Sequence, residues 1–342
     1  MIRKAFALTV LSASLLVSVN AGAADKLVVS TWGGSFRDLI DEAIGTEFTK
    51  QTGVEVEYVT GGTIDRLNKA KLAGTAETDL TFTTSHVGWL YANDGLFETL
   101  DMDKIPNAGN LVHQAQLSPQ HLGVWGYVYT IGYRPDLVPE GETFETWNDL
   151  WKPEMKGTLA LPDFDPSHII AVSATLSGAD AASWEKGQDK LKALIPSIKS
   201  YYTNDANSQQ LIATGETPVQ VLLSMNAYHM IEEGVDIQLA MPKEGAVLGI
   251  DSMGINKGSK HADLAYTFMN IALSPEVQAK IAEINRGSPV VTNAKVDPEI
   301  AKLPGMLTTE AQWDATLNID PKLRAEKTAE WRKWFSENIM AH

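Results

Sequence analysis

The strongest constraint on what this chain can fold into is an alternation of strand-like and helix-like segments that begins at Lys26. KLVVST at Lys26 to Thr31 is a β-branched run that stops at Trp32-Gly33-Gly34-Ser35. Leu39, Ile40, Ala43, Ile44 and Phe48 then recur at helical spacing between Phe36 and Lys50, and Gly53 ends the pattern before a strand at Val54 to Val59. The alternation continues with a helix around Ile64 to Leu72, a strand at Asp79 to Thr83 and a helix from Val87 toward Gly95. This pattern predicts an α/β protein whose mostly parallel sheet carries helices on its faces. A second set follows: a helix at Trp147 to Leu150, a strand at Thr158 to Leu161, helices near His168 to Leu176 and Ala182 to Leu194, and strands at Val219 to Leu223 and Ile237 to Ala240. Gly123 to Tyr133 and Gly249 to Ile255 read as long strands passing between the two sets, and helices at Ala262 to Leu273 and Pro275 to Ile284 come after them. About 320 residues beyond the N-terminal segment exceed what one core usually organises, so two lobes are expected.

The first 23 residues carry Arg3 and Lys4, an apolar run from Ala5 to Val19, and Ala21-Gly22-Ala23, the three-part layout of a cleaved secretory signal. Cysteine is absent, which removes disulfides, thiolate metal ligands and cysteine nucleophiles. The chain has 28 basic and 43 acidic residues, net −15; losing Arg3 and Lys4 takes it to −17. Nucleic acid and anionic lipid are poor partners for such a surface. The expected location is the periplasm and the expected state a monomer.

Four segments, in order, carry a resemblance: EFTKQTGVEVEY from Glu47, TWNDLWKPEMKGTLAL from Thr146, MPKEGAVLGIDSMGINKGSKH from Met241 and GSPVVTNA from Gly287. Together they resemble the periplasmic spermidine/putrescine-binding branch of the bacterial family 1 extracellular solute-binding proteins, over nearly the whole mature chain. The resemblance implies a two-lobed, type II-like binding-protein fold hinged on crossover strands. Lobe one would span residues 25–128 and 254–300, lobe two 129–253 and 301–342, with Trp331, Trp334 and Phe335 packing the tail onto lobe two. It also implies an ABC importer, in which the receptor closes on a solute and delivers it to the permease's transmembrane subunits.

Candidate ligand contacts follow from strand ends and from the resemblance. Trp32, Gly33, Gly34 and Ser35 end the first strand, where ligand crevices open in such sheets; glycines admit close approach, and free N–H groups at a helix start favour anions. The alternative is a tight turn with Ser35 as N-cap. Ser85 and His86 end the third strand and match a tyrosine pair of the polyamine receptors; capping of the next helix competes with ligand contact. Asp251 matches the family aspartate that binds a ligand ammonium, although the aromatic two residues before it has become Gly249 and another has been replaced around Ser224 and Asn226. Asp163 and Asp165 lie near further family acids, with an N-cap role open for Asp165. Tyr127, Tyr129 and Thr130 are candidates for the cleft wall, and Arg286 for a ligand carboxylate or a surface ion pair.

An amine-bearing solute is therefore expected, a polyamine or a zwitterionic amino-acid-like compound, with no cofactor and no metal. Two rivals stand beside it. A ferric-ion or other anion receptor is suggested by Tyr201-Tyr202, although that pair precedes the element on which ferric receptors of this fold place theirs. An enzyme on the same fold is opposed by the lack of a nucleophile elbow, a phosphate-cradling loop or HExxH.

Overall fold

The computed structural model describes residues 26–74 and 77–341; the expected signal segment lies outside them. One nine-stranded sheet runs through the molecule in the order β2-β1-β3-β9-β4-β7-β5-β6, with β8 paired to β4. The strands are β1 Lys26–Thr31, β2 Glu55–Thr60, β3 Leu80–Thr84, β4 Leu122–Tyr133, β5 Leu159–Pro162, β6 Ile198–Tyr202, β7 Val219–Leu223, β8 Gln238–Leu239 and β9 Val247–Ile255. β1 is parallel to both β2 and β3, and β5 to both β6 and β7. Two parallel βα halves are thus joined through β9 and β4, which run antiparallel to each other and to the strands they flank. Every residue of β4 and β9 is buried, as expected of strands covered on both faces.

Several local expectations shift. The helix after β1 occupies 35–52, with one wider turn at Asp41–Gly45 and Gly53 in the left-handed conformation at its end. Ser35 does not cap it: Gly34, at φ 63°, stands at the cap position, and no side chain closes the turn. The segments around Trp147 and Ala181 are tighter 3₁₀ turns, and Ser183 departs from helical geometry within the second. The strand expected at Ile237 to Ala240 contracts to two residues because it pairs only with the end of β4. Strand β6 and the helices Asp205–Ala213 and Ser224–Glu232 have no counterpart in the sequence reading; their mixed polar composition hides the period.

The C-terminal tail packs against elements of both halves. On the C-terminal helix Pro321–Phe335, Trp331 and Phe335 are buried, Trp334 meets Trp184 edge-on at 5.3 Å, and Phe335 meets Tyr201 at 5.9 Å. The same helix lies against Ser85–Asn93 in the first half of the molecule, with Lys322 Nζ 5.9 Å from the Trp89 ring centre. It therefore spans the junction between the halves.

Candidate functional site

The ends of β3, β5 and β7 face one another across the β4–β9 pair, and polar side chains are buried there. Register puts Asp251 opposite Thr84 on one side and Trp125 on the other. Asp251 is 4 % exposed; it accepts hydrogen bonds from Trp125 Nε1 at 2.9 Å and from the Tyr127 hydroxyl at 3.2 Å. Burial pushes its carboxyl up to about 7, against the pull of those two donors. Tyr127 lies opposite Gly249, and a Cβ on Gly249 would stand 2.0 Å from the tyrosine ring. The aromatic that the family pattern leads one to expect at 249 has no room, because Tyr127 from the neighbouring strand fills that space.

A second buried cluster sits beside it. Asp165, at the end of β5, accepts from the Ser167 amide at 3.0 Å and from Arg324 Nη2 at 2.5 Å. The same Arg324 nitrogen donates to His168 Nε2 at 3.0 Å, and the imidazole stacks on Tyr129 with centroids 3.8 Å apart. Burial alone would raise Asp165, but Arg324 overrides it and holds the carboxyl far below the usual range. Burial and the Arg324 charge hold His168 and His86 down to about 3, so both imidazoles are neutral. Burial also raises Asp205, which starts the helix after β6.

Several buried polar atoms around this junction have no hydrogen-bond partner: Thr31, Thr83 and Thr84 Oγ1, His86 Nδ1 and Arg324 Nε. Folded interiors satisfy most such groups, and each one left open costs about 1–3 kcal/mol. These atoms lie near the strand ends at which the two halves meet.

The sequence candidates divide. Ser85, His86, Asp165, Tyr129, Ser224, Asn226 and Asp251 are buried in or beside this junction. Ser224 Oγ accepts the Val128 amide at 3.2 Å. Ser85 is the first residue of its helix and neither it nor Thr84 makes a side-chain cap, so the capping alternative does not hold there. Asp165 bonds the helix start and Arg324 together. Asp163 is half-buried and faces the groove bordered by Arg332 and Lys333. Gly33, Gly34 and Ser35 are exposed, while Trp32 gives its indole N–H to Thr63 at 2.7 Å and stacks its face near Arg66. Arg286 pairs with Glu232 and bonds the Glu283 carbonyl. Thr130 donates to the Ala240 carbonyl, bracing β4 rather than facing a guest. Trp125, His168 and Arg324 escaped the sequence reading. His168, the second residue of the helix that follows PDFDP, carried a faint signal; Arg324, 159 residues from its partner Asp165, carried none.

A protein-family model for bacterial extracellular solute-binding proteins matches residues 43–308. The chain belongs to that family, and its class is the solute-binding receptor of ABC import. The spermidine/putrescine-binding periplasmic protein of Escherichia coli K12 is 27 % identical over 270 residues, covering 75 % of this chain and 76 % of that one. Among solved structures, an ABC transporter protein from Clostridium perfringens superposes with TM-score 0.79 at 29 % identity, covering 92 % of this chain and all of that one. The GABA receptor Atu4243 superposes with TM-score 0.80 at 24 % identity, covering 93 % and 99 %. The two-lobed α/β binding-protein architecture expected from the sequence is the one these neighbours share.

Proposed function

We propose that this chain is the periplasmic receptor of an ABC importer for a small solute carrying an ammonium group, a polyamine or an amino-acid-like zwitterion, which it binds without chemical change. The observation that carries this reading is Asp251: a carboxylate on a buried crossover strand, held by two neutral donors and in no ion pair among the described residues. Its two bonds leave lone pairs free, and a desolvated ammonium needs such a carboxylate to offset its lost hydration. The polyamine named for the Escherichia coli relative supports an amine ligand.

Lobe one comprises residues 25–128 and 254–300 in this reading, lobe two 129–253 and 301–342, and the ligand bridges them as a monomeric receptor closes and docks on its permease subunits. The N-terminal 23 residues act as the secretion signal. Iron finds no support at Tyr201-Tyr202, whose hydroxyls bond the Ile339 and Val221 carbonyls, and the described residues contain no group of three or more metal-ligating His, Cys, Asp or Glu side chains. Calorimetric titration of wild type and Asp251→Asn with 1,4-diaminobutane and 4-aminobutanoate tests the reading. Affinity for the amine that binds should fall about ten- to hundredfold, the value of a charge-assisted bond of roughly 1.5–3 kcal/mol. Equal affinity in the two proteins would overturn it.

A further inference from the structure

The two ends of the site differ in hydrogen-bonding character. Around Asp251 the chain offers acceptor capacity: two carboxylate oxygens, each engaged once. Around Arg324 the unmet group is a donor. A guanidinium has five N–H groups, and Nη2 alone makes the bonds to Asp165 and His168, while Nε, buried, has no partner. His168 accepts from Arg324 at Nε2, so its proton resides on Nδ1. Asp165 takes Arg324 Nη2 and the Ser167 amide on its two oxygens, and neither bond reaches Arg324 Nε.

Resting on the amine reading above, we propose that Arg324 sets ligand specificity: it receives the carboxylate of a solute whose ammonium lies on Asp251, so the ligand class is an amino acid or amino-acid conjugate rather than a diamine or polyamine. A carboxylate brings an acceptor to the donor that lacks one and adds a charge-assisted bond to a buried cation. A second ammonium would bring a donor and a positive charge beside Arg324, whose Nε it cannot satisfy. The placement fits delivery from the tail, since the helix Pro321–Phe335 lies against both halves of the molecule and Arg324 is 8 % exposed. Arg324 and Ser85 also border a groove of about 200 Å³, walled by Leu248, Ile250 and Pro321, that opens beside the cluster.

The experiment is a titration panel of matched length and opposite end group: 1,4-diaminobutane and spermidine against 4-aminobutanoate, α-amino acids and N-carboxyalkyl amino acids. It is run on wild type, Asp251→Asn, Arg324→Gln and the double variant Asp165→Asn/Arg324→Gln, which removes the ion pair as a unit and so keeps the fold testable. Wild type should bind a zwitterion at least about tenfold tighter than the matched diamine. Both Arg324 variants should weaken that zwitterion about ten- to hundredfold and leave the diamines unchanged or improved. Preference for a diamine, no binding by any zwitterion of the panel, or equal loss of both classes in the Arg324 variants overturns the proposal. The two readings fail separately: a diamine that needs Asp251 and ignores Arg324 removes this inference alone, whereas binding that ignores Asp251 removes the amine reading as well.

Discussion

The crossover strand β9 and the mouth of β5 each bury one aspartate, at 4 % and 8 % exposure, and burial alone would raise both. Asp251, facing an indole N–H and a phenol, stays raised at about 7; Asp165, facing a guanidinium, is driven far below its ordinary value. Depth therefore does not set the charge of a buried acid; the presence of a full countercharge does. One region has its cation built in; the other has two neutral donors in its place, and in the proposed function the ligand supplies the cation. The two acids differ in this although they lie in one continuous polar junction.

The largest expected effect comes from breaking the built-in pair. Asp165→Asn strands Arg324 as a buried cation, and unfolding by urea should show a loss of about 3–5 kcal/mol. Removing both charges in Asp165→Asn/Arg324→Met should recover most of that loss, because the double change leaves no buried charge behind. If the single and double variants are equally unstable, the pair is not what holds Asp165 ionised, and the contrast with Asp251 collapses.

Asp251 predicts the opposite sign. The folded chain keeps its proton up to about pH 7, whereas the unfolded chain releases it near the ordinary carboxyl value, so stability of the unliganded protein falls as pH rises through that window. Asp251→Asn carries no proton to lose. It should match wild type below about pH 4 and be the more stable protein at pH 8, by up to about 4 kcal/mol from a three-unit difference. Urea titrations of both proteins at several pH values check this. A pH-independent difference would mean that Asp251 is ionised throughout and already compensated.

Much of the fold was legible from the sequence because burial on both faces leaves long apolar strands that no other pattern imitates. Strands β1 and β7 coincide with their expected bounds, and β4 and β9 extend theirs by one and two residues. Elements with mixed faces, such as β6 and the helix Ser224–Glu232, were hidden because their apolar positions depend on neighbours far along the chain. The site divided in the same way. Asp251 was legible because its surroundings are local to IDSMGI; Arg324 was not, because its partners Asp165 and His168 lie over 150 residues away and only tertiary packing brings them together. The missing ring at 249 misled for a related reason: Tyr127 supplies aromatic surface from the adjacent strand, and pairing register is invisible in a linear motif.

The smallest expected effect sharpens the comparison at its edge, where the first strand ends. Gly33 and Gly34 looked alike in sequence, two glycines admitting an anion, yet their backbones differ. Gly34 sits at φ 63°, which a side chain resists, while a Cβ on Gly33 would meet only Thr60 Cβ at 3.9 Å, an ordinary contact. Gly34→Ala should therefore cost about 1 kcal/mol through backbone strain, and Gly33→Ala should stay within about 0.5 kcal/mol. Both residues are exposed, whereas Arg324 Nε is buried without a partner. If the anionic end of the ligand is held there, Gly33→Ala should leave affinity within twofold of wild type in the same calorimetric titration. A tenfold loss with unchanged stability would place the ligand against the Gly33 backbone and return the anion-binding role to the end of β1.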